Sequence, residues 1–168
     1  LKIFPFLLVG LTLFALIVSG FFVFLSYQSL PKYGDNLYSS EINSQIFIKT
    51  DLYAVPHISA ATNNEVFFGL GYAHAQERLW QMNYLKRLSQ GRLSEINGPS
   101  TVMLDSFLKT LDLQSLSKKI YQNLSPNLKD ILLFYSKGIN FRLNEIQTQG
   151  LGRGSPEFFF LSPEVTPW

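Results

Sequence analysis

The chain has 168 residues, a formal net charge of +2 and no cysteine. This length is that of one ordinary domain, and without cysteine there is neither a disulfide framework nor a thiolate metal site. The basic residues are scattered along the sequence, whereas nucleic-acid binding needs a concentrated basic face, so no nucleic-acid partner is expected.

Residues 1–27 are predicted to form a transmembrane signal anchor. From Ile3 to Leu25 no side chain is charged, and this run is long enough to cross a hydrocarbon core of about 30 Å as a helix. A cleavable secretory signal is the alternative, but its apolar centre is shorter, about 7 to 15 residues, whereas Phe21, Phe22 and Phe24 continue this one. Both interpretations place the rest of the chain outside the cytoplasm, facing the periplasm or the cell exterior.

Residues 28–44 are predicted to be a linker, because this part of the sequence is rich in Ser, Tyr, Pro, Gly and Asn and shows no sustained hydrophobic period. Residues 45–168 are predicted to belong to one folded unit. It opens with a half-buried strand over Gln45–Leu52, in which Ile46 and Ile48 share a face, and Pro56 breaks the pattern that follows.

The strongest helical signal lies in ATNNEVFFGLGYAHAQERLWQMNYLKRLSQG. Asn63 or Asn64 is the predicted N-cap, and Gly91 is the predicted stop. Gly69 and Gly71 would each cost about 1 kcal/mol relative to Ala in an exposed helix. Their presence predicts that another backbone approaches closely at these positions.

Three further helical segments are predicted. The first is a short turn between Gly91 and Gly98, and the second is a weaker helix from Val102 to about Gln122. The third begins with Ser125 as cap and Pro126 at the first helical position. The residues expected to form its buried stripe recur every three or four positions: Leu128, Ile131, Leu132, Tyr135, Ile139, Leu143 and Ile146.

The predicted fold class is therefore α+β and mostly helical: an N-terminal transmembrane helix, one or two strands, then three to four helices. From Thr148 onward glycines and prolines predict an extended, packed loop. Within it, Phe158–Phe160 could line an acyl pocket, although an apolar run beside prolines more often fills a core.

Three ordered segments resemble the first chain of the penicillin acylase family, namely DLYAVPHISA, EVFFGLGYAHAQERLWQM and LSQGRLSEING. The residues that match the family pattern are Asp51, Val55, Pro56, His57, Ile58, Gly71, Tyr72, Ala75, Gln76, Arg78, Leu79, Gln81, Met82, Gly91, Arg92, Leu93, Ser94 and Glu95. The closing SPEFFFLSPEVTPW is similar to a further loop of the family. Ala54 departs from the pattern, since Gly is usual there, and a position that accepts Gly can require a positive φ in which Ala is strained.

The resemblance implies an αββα N-terminal-nucleophile hydrolase of which this chain is an incomplete piece. In that family a precursor cuts itself into two chains, and a Ser at the start of the second chain attacks an amide carbonyl while its own α-amine accepts the proton. The resemblance places that Ser, the calcium-binding acid and the substrate-pocket residues beyond Trp168. No catalytic, cofactor-binding or metal residue is therefore assigned in this chain, which alone is expected to be inactive.

The implied partners are the second (beta) chain, the membrane and a small N-acyl amide substrate such as a β-lactam or an acyl-homoserine lactone. The alternative function is a non-catalytic, membrane-tethered interaction module. Such a module would use the face that the missing second chain leaves exposed, which should be a large apolar patch.

The two histidines, His57 and His74, invite a metal or general-base interpretation. His74 and Glu77 are three residues apart on a helix and could reach one ion, but two ligands make a poor metal site, and a hydrogen-bonded structural histidine is favoured. Glu77 has no other assigned role.

Ser94 stands beside Glu95 without a histidine nearby in the sequence, which favours a role in a turn over that of a nucleophile. Arg78 lies in a helix predicted to be buried on several faces, so it is expected to pair with an acid such as Asp51 or Glu95.

Overall fold

The computed structural model describes residues 3–30, 42, 44–148 and 168. These residues form helices and one two-stranded sheet, which confirms the predicted fold class. In chain order the elements are α1 (Ile3–Ser29), β1 (Phe47–Thr50), β2 (Pro56–Ser59), α2 (Asn63–Ser89), α3 (Ser94–Asn97), a 3₁₀ turn (Gly98–Thr101), α4 (Val102–Leu111), α5 (Leu113–Gln122) and α6 (Pro126–Thr148). Most of the predicted linker, and the predicted loop with Phe158–Phe160, lie outside the described residues.

Helix α1 is long and apolar enough over Pro5–Tyr27 to cross a membrane. A continuous helix satisfies its own backbone hydrogen bonds, which is the condition for a segment surrounded by lipid. A secretory signal near the N-terminus also passes this test of length and composition, so both interpretations of the segment stand.

The sheet is an antiparallel hairpin in which Phe47 pairs with Ser59 and Thr50 pairs with Pro56. The sequence analysis predicted the strand β1 and interpreted Pro56 as the residue that ends it. In the structure Pro56 is instead the first residue of β2. A proline is tolerated at the first position of a strand, where its missing amide hydrogen removes little of the ladder. The prediction of one or two strands is thus resolved as two.

The Asp51 side chain organises the turn of the hairpin. Its Oδ1 accepts hydrogen bonds from the backbone N–H groups of Tyr53 at 2.8 Å and Val55 at 3.0 Å. Ala54 lies between them with φ of 61°, in the left-handed region that favours glycine. The positive φ anticipated at Ala54 from the sequence is confirmed.

Helix α2 begins with a capping box, one residue before the predicted caps Asn63 and Asn64. The Thr62 hydroxyl accepts from the Glu65 backbone N–H at 3.3 Å, and the Glu65 carboxylate accepts from the Thr62 N–H at 3.0 Å. Threonine followed three residues later by glutamate is the sequence signature of this motif, so the signal for Thr62 was present and was missed.

The predicted stop of α2 at Gly91 is confirmed. Gly91 has φ of 62°, its N–H donates to the Leu88 carbonyl at 3.0 Å, and the Arg92 N–H donates to the Arg87 carbonyl at 2.9 Å. These two bonds form a Schellman motif, which needs a left-handed residue just past the helix.

The helices α2 and α6 cross at two glycines. A Cβ atom added to Gly71 would lie 2.0 Å from the Tyr135 carbonyl oxygen, and one added to Gly138 would lie 2.0 Å from the Phe68 carbonyl oxygen. The predicted close backbone approach is confirmed at Gly71. At Gly69 the neighbours are instead side chains of the hairpin segment, with Ile58 Cγ2 at 2.8 Å.

The hydrophobic core lies next to this crossing. It consists of residues from both helices, with Met82, Tyr135, Ile146 and Trp168 packed around Ala75, Leu79, Ile139 and Leu143. The predicted stripe of α6 is therefore buried in its second half. In the first half Leu128 and Leu132 remain exposed.

The weaker helix predicted from Val102 is two helices, α4 and α5, separated at Asp112. Asp112 has φ of 47°, and its carboxylate accepts from the Ser115 backbone N–H at 3.4 Å. Aspartate tolerates the left-handed region because its short side chain bonds locally. The apolar period continues through the break, so periodicity could not reveal it.

Replacing Gly138 by alanine should destabilise the α2–α6 crossing by about 3 kcal/mol, since the new methyl group meets a backbone carbonyl that cannot move aside. Urea unfolding of the 168-residue chain in detergent, followed by circular dichroism, measures the change. Gly20→Ala is the matched control, because a Cβ there meets nothing within 4 Å. Equal stability of the two variants would contradict the close crossing.

At the hairpin turn, replacing Ala54 by glycine should stabilise the chain by about 0.5–1 kcal/mol. Relief of the left-handed strain outweighs the greater flexibility of glycine in the unfolded chain. Ala61→Gly is the control, because Ala61 does not have a positive φ and should lose about 0.4–1 kcal/mol. A loss of stability in both variants would show that Ala54 is unstrained.

Candidate functional site

A cluster of charged residues lies where α2 ends and α3 begins. The Glu95 carboxylate accepts hydrogen bonds from two arginines. Arg87 donates from Nη1 to Glu95 Oε2. Arg92 donates from Nε to Oε1 at 2.7 Å and from Nη2 to Oε2 at 2.9 Å. The Arg87 side chain is buried, and Glu95 is partly exposed. Arg92, and after it Arg87, hold the pKa of Glu95 below its usual range. We call Arg87, Arg92 and Glu95 the arginine–glutamate turn.

Asp105 of α4 holds this turn from the other side. Its carboxylate accepts the backbone N–H groups of Leu93 at 2.8 Å and Ser94 at 2.7 Å, so it caps the start of α3 from a distant part of the chain. Burial opposes its ionisation, but hydrogen bonds from the Ser94 hydroxyl and from these two amides lower its pKa overall. Nothing in the local sequence around Asp105 indicates this role.

Trp168 is hydrogen-bonded to α6 through the side chain of Asn140. The Trp168 N–H donates to Asn140 Oδ1 at 2.8 Å, and Asn140 Nδ2 donates to the Trp168 carbonyl at 3.1 Å. Lys86 lies over the indole ring, with its ammonium 4.7 Å from the ring centroid. Burial, and then the neighbouring Arg92 and Arg87, lower the pKa of Lys86. The tryptophan thus lies beside the arginine–glutamate turn.

The two histidines lie in separate places. His57 Nε2 is 3.0 Å from Asp51 Oδ2 in the exposed hairpin, and this contact lowers the pKa of Asp51 together with the Val55 and Tyr53 amides. His74 Nδ1 is 2.9 Å from the Tyr135 hydroxyl, and its ring meets the Tyr135 ring edge-on. The hydrogen bond predicted for His74 is confirmed, although its side chain is exposed, and its structural role stays a prediction.

The predicted ion pair of Arg78 is wrong. Arg78 is exposed, and its guanidinium donates to Gln81 Oε1 at 3.3 Å. The acids proposed for it have other partners in the described part of the chain, His57 for Asp51 and the two arginines of the turn for Glu95. Arg78 is also where α2 kinks, with φ of −138° and ψ of 21°. No contact between described residues explains the kink.

The described residues do not include a serine hydrogen-bonded to a histidine as general base. The Ser94 hydroxyl donates a hydrogen bond to Asp105, not to a histidine. No group of three or more acids and histidines lies close enough within the described ranges to hold a metal ion. A depression between the hairpin and α2, lined in part by Ala54 and Glu77, has a cavity volume of about 10 Å³. That is room for about one water molecule, whereas ligand pockets have roughly 300–1,000 Å³.

The described contacts fix a helix end, a strand hairpin and a docked tryptophan relative to the α2–α6 core. Among the charged residues, Arg87, Arg92, Glu95 and Asp105 are held by ion pairs or hydrogen bonds.

Residues 45–168 match the family model described as penicillin amidase. The chain belongs to the penicillin amidase family. The similarity predicted from the three sequence segments is thereby confirmed, and the matched region contains the hairpin, the crossing helices and the arginine–glutamate turn.

Named relatives include acyl-homoserine lactone acylase QuiP of Pseudomonas aeruginosa, which is 37% identical over 56% of this chain and 11% of its own length. Penicillin acylase 2 proenzyme of Pseudomonas sp. is 27% identical over 83% of this chain and 17% of its own length. Penicillin G acylase of Escherichia coli is 32% identical over 73% of this chain and 14% of its own length. The chain thus spans less than a fifth of these relatives.

A solved structure has the same fold. Thermostable penicillin G acylase from Alcaligenes faecalis superimposes with a TM-score of 0.66 at 25% identity, covering 74% of this chain and 66% of that one. The family membership of this chain is thus accompanied by a shared backbone arrangement.

Acidification should destabilise this penicillin amidase family chain. Because the pKa values of Asp51, Glu65, Glu95 and Asp105 are lower in the folded chain than their ordinary values near 4, their stabilising contribution is present above that range. It is lost as the pH falls through the lower, folded-state values. Urea unfolding at a series of pH values between 6 and 2.5 measures this.

Asp105→Asn should flatten part of that pH dependence, because the asparagine side chain does not titrate and can accept only through one oxygen. The control is Asp130→Asn, at an exposed acid of α6. A pH profile of Asp105→Asn identical to that of the unmodified chain would contradict the capping role.

Proposed function

We propose that this chain is the N-terminal part of a penicillin-acylase-type amidohydrolase that cleaves the acyl–amide bond of N-acyl compounds. The observation that carries the proposal is the family match over residues 45–168. The names of the relatives, acylases of acyl-homoserine lactones and of penicillins, support the reaction class. The small share of each relative that the chain spans supports a longer precursor.

The proposed nucleophile is the Ser that begins a second chain released from the same precursor. Its hydroxyl oxygen attacks the amide carbonyl carbon while the α-amine of the same Ser accepts the proton. The proton passes to the departing amine as the carbon–nitrogen bond breaks, leaving an acyl ester on the Ser. Water then hydrolyses the ester and releases the acid. Backbone and side-chain donors of the second chain would stabilise the oxyanion.

In this proposal the chain contributes positioning rather than chemistry. The α2–α6 core carries the hairpin at one end of α2 and the arginine–glutamate turn at the other. The described acids and histidines include no group of three or more that could hold a metal ion. A calcium site elsewhere in the complete protein stays a prediction, as do the substrate pocket and the inactivity of this chain alone.

The proposed location is the outer side of a membrane. The apolar stretch Pro5–Tyr27 would anchor the precursor and leave residues 45–168 in the periplasm or outside the cell. If the stretch were instead a cleaved signal, the enzyme would be released on the same side.

The second candidate is a membrane-tethered interaction module without catalysis. The observation that favours it is the set of large apolar side chains exposed on α4 and α5, which includes Met103, Phe107 and Ile120. The two candidates differ in whether the complete protein turns over N-acyl amides.

The complete gene product should hydrolyse a panel of N-acyl-homoserine lactones and acylated β-lactams, with release of the free amine as the measurement. Replacing the first Ser of the second chain by Ala should reduce kcat by at least about a thousandfold. Ser94→Ala is the matched control and should retain turnover, because Ser94 is assigned to a turn. Turnover that survives loss of the second-chain Ser, or that needs Ser94, would overturn the mechanism.

A further inference from the structure

Helix α4 packs through its polar edge and turns its apolar face outward. Asp105 is only 4% exposed, whereas Met103 is 86% exposed and Phe107 is 59% exposed on the same helix. The buried carboxylate holds the start of α3, as its bonds to Leu93 and Ser94 show. In an ordinary surface helix the apolar stripe faces the core and the charges face water. In α4 the one buried residue is instead the charged Asp105.

Helix α5 also exposes apolar side chains. Apart from Leu113 and Ser115, every residue of α5 is exposed, including Leu116, Ile120 and Tyr121. The helix has only ten residues. Isolated helices shorter than about 12–15 residues are marginal in water, and protein helices owe most of their stability to packing of an apolar face. The apolar side of α5 therefore requires a partner. We call Met103, Phe107, Leu111, Leu116, Ile120 and Tyr121 the α4–α5 surface.

We propose that the α4–α5 surface is the docking site for the second, catalytic chain of the amidase. This inference rests on the proposed function, because it assumes that such a chain exists. Both helices lie within the matched residues 45–168, whereas α1 lies outside them. The surface thus belongs to the part shared with the longer relatives, not to the anchor. The chain covers only 11–17% of three of those relatives, which leaves ample polypeptide to cover it.

Cysteine accessibility tests the proposal with little perturbation, because the 168-residue chain has no cysteine of its own. Phe107→Cys and Leu116→Cys place a thiol on the α4–α5 surface, and Ser106→Cys places one at an exposed position of α4 that is not among the residues of that surface. Each variant is made in the complete gene product and in the 168-residue chain, in detergent and in liposomes. The rate of maleimide labelling is read by mass spectrometry of the peptide that carries the new cysteine.

In the complete protein, Phe107→Cys and Leu116→Cys should label at least about tenfold more slowly than Ser106→Cys, because labelling then needs a local opening of the interface. In the 168-residue chain in detergent all three should label at similar rates. Circular dichroism of each variant checks that the helices are retained, which is expected because these side chains lie outside the α2–α6 core.

Equal labelling of all three sites in the complete protein would overturn the proposal. Protection in the 168-residue chain only in liposomes would assign the surface to the bilayer instead, and protection that rises with protein concentration would assign it to a second copy. Labelling does not depend on turnover. A complete protein that protects the surface but hydrolyses no N-acyl amide would therefore retain the docking site and sink the proposed function.

Discussion

The rest of the described fold depends on the close crossing of α2 and α6. Gly71 and Gly138 each face a backbone carbonyl of the opposite helix, and the two contacts are reciprocal, so no side chain larger than hydrogen fits at either position. Close-packed interiors transmit such constraints because neighbouring atoms cannot move aside cheaply. The crossing therefore fixes the distance between the helices, and the core around Ile139 and Leu143 packs at that distance.

Several polar contacts of the chain lie on or beside the crossing helices α2 and α6. The arginine–glutamate turn follows the Schellman end of α2, and Asn140 on α6 fastens Trp168 next to it. Asp105 joins α4 to the same turn, which is why α4 shows its apolar face to solvent. A single buried carboxylate thus connects the scaffold to the surface that we assign to the catalytic chain. In a penicillin amidase this would let a non-catalytic segment set the position of the catalytic one.

Local signals allowed much of the fold to be predicted, and tertiary constraints account for what was missed. The stop at Gly91 and the strain at Ala54 depend on backbone dihedrals that the residue type itself indicates. Asp105 and Gly138 act through atoms more than ten residues away or on another helix, so no local pattern reveals them. The ion pair predicted for Arg78 was wrong because it was inferred from an expected burial of Arg78, whose side chain is exposed. Family resemblance supplied the reaction class, which no described side chain carries.

Hydrogen exchange of individual backbone amides in the 168-residue chain, compared with the complete protein, tests the central claim most directly. The account predicts that the amides around Gly71 and Gly138 exchange slowest in both, and that α5 exchanges fast in the short chain and slowly in the complete protein. Fast exchange at the crossing in the short chain, or strong protection of α5 there, would contradict it.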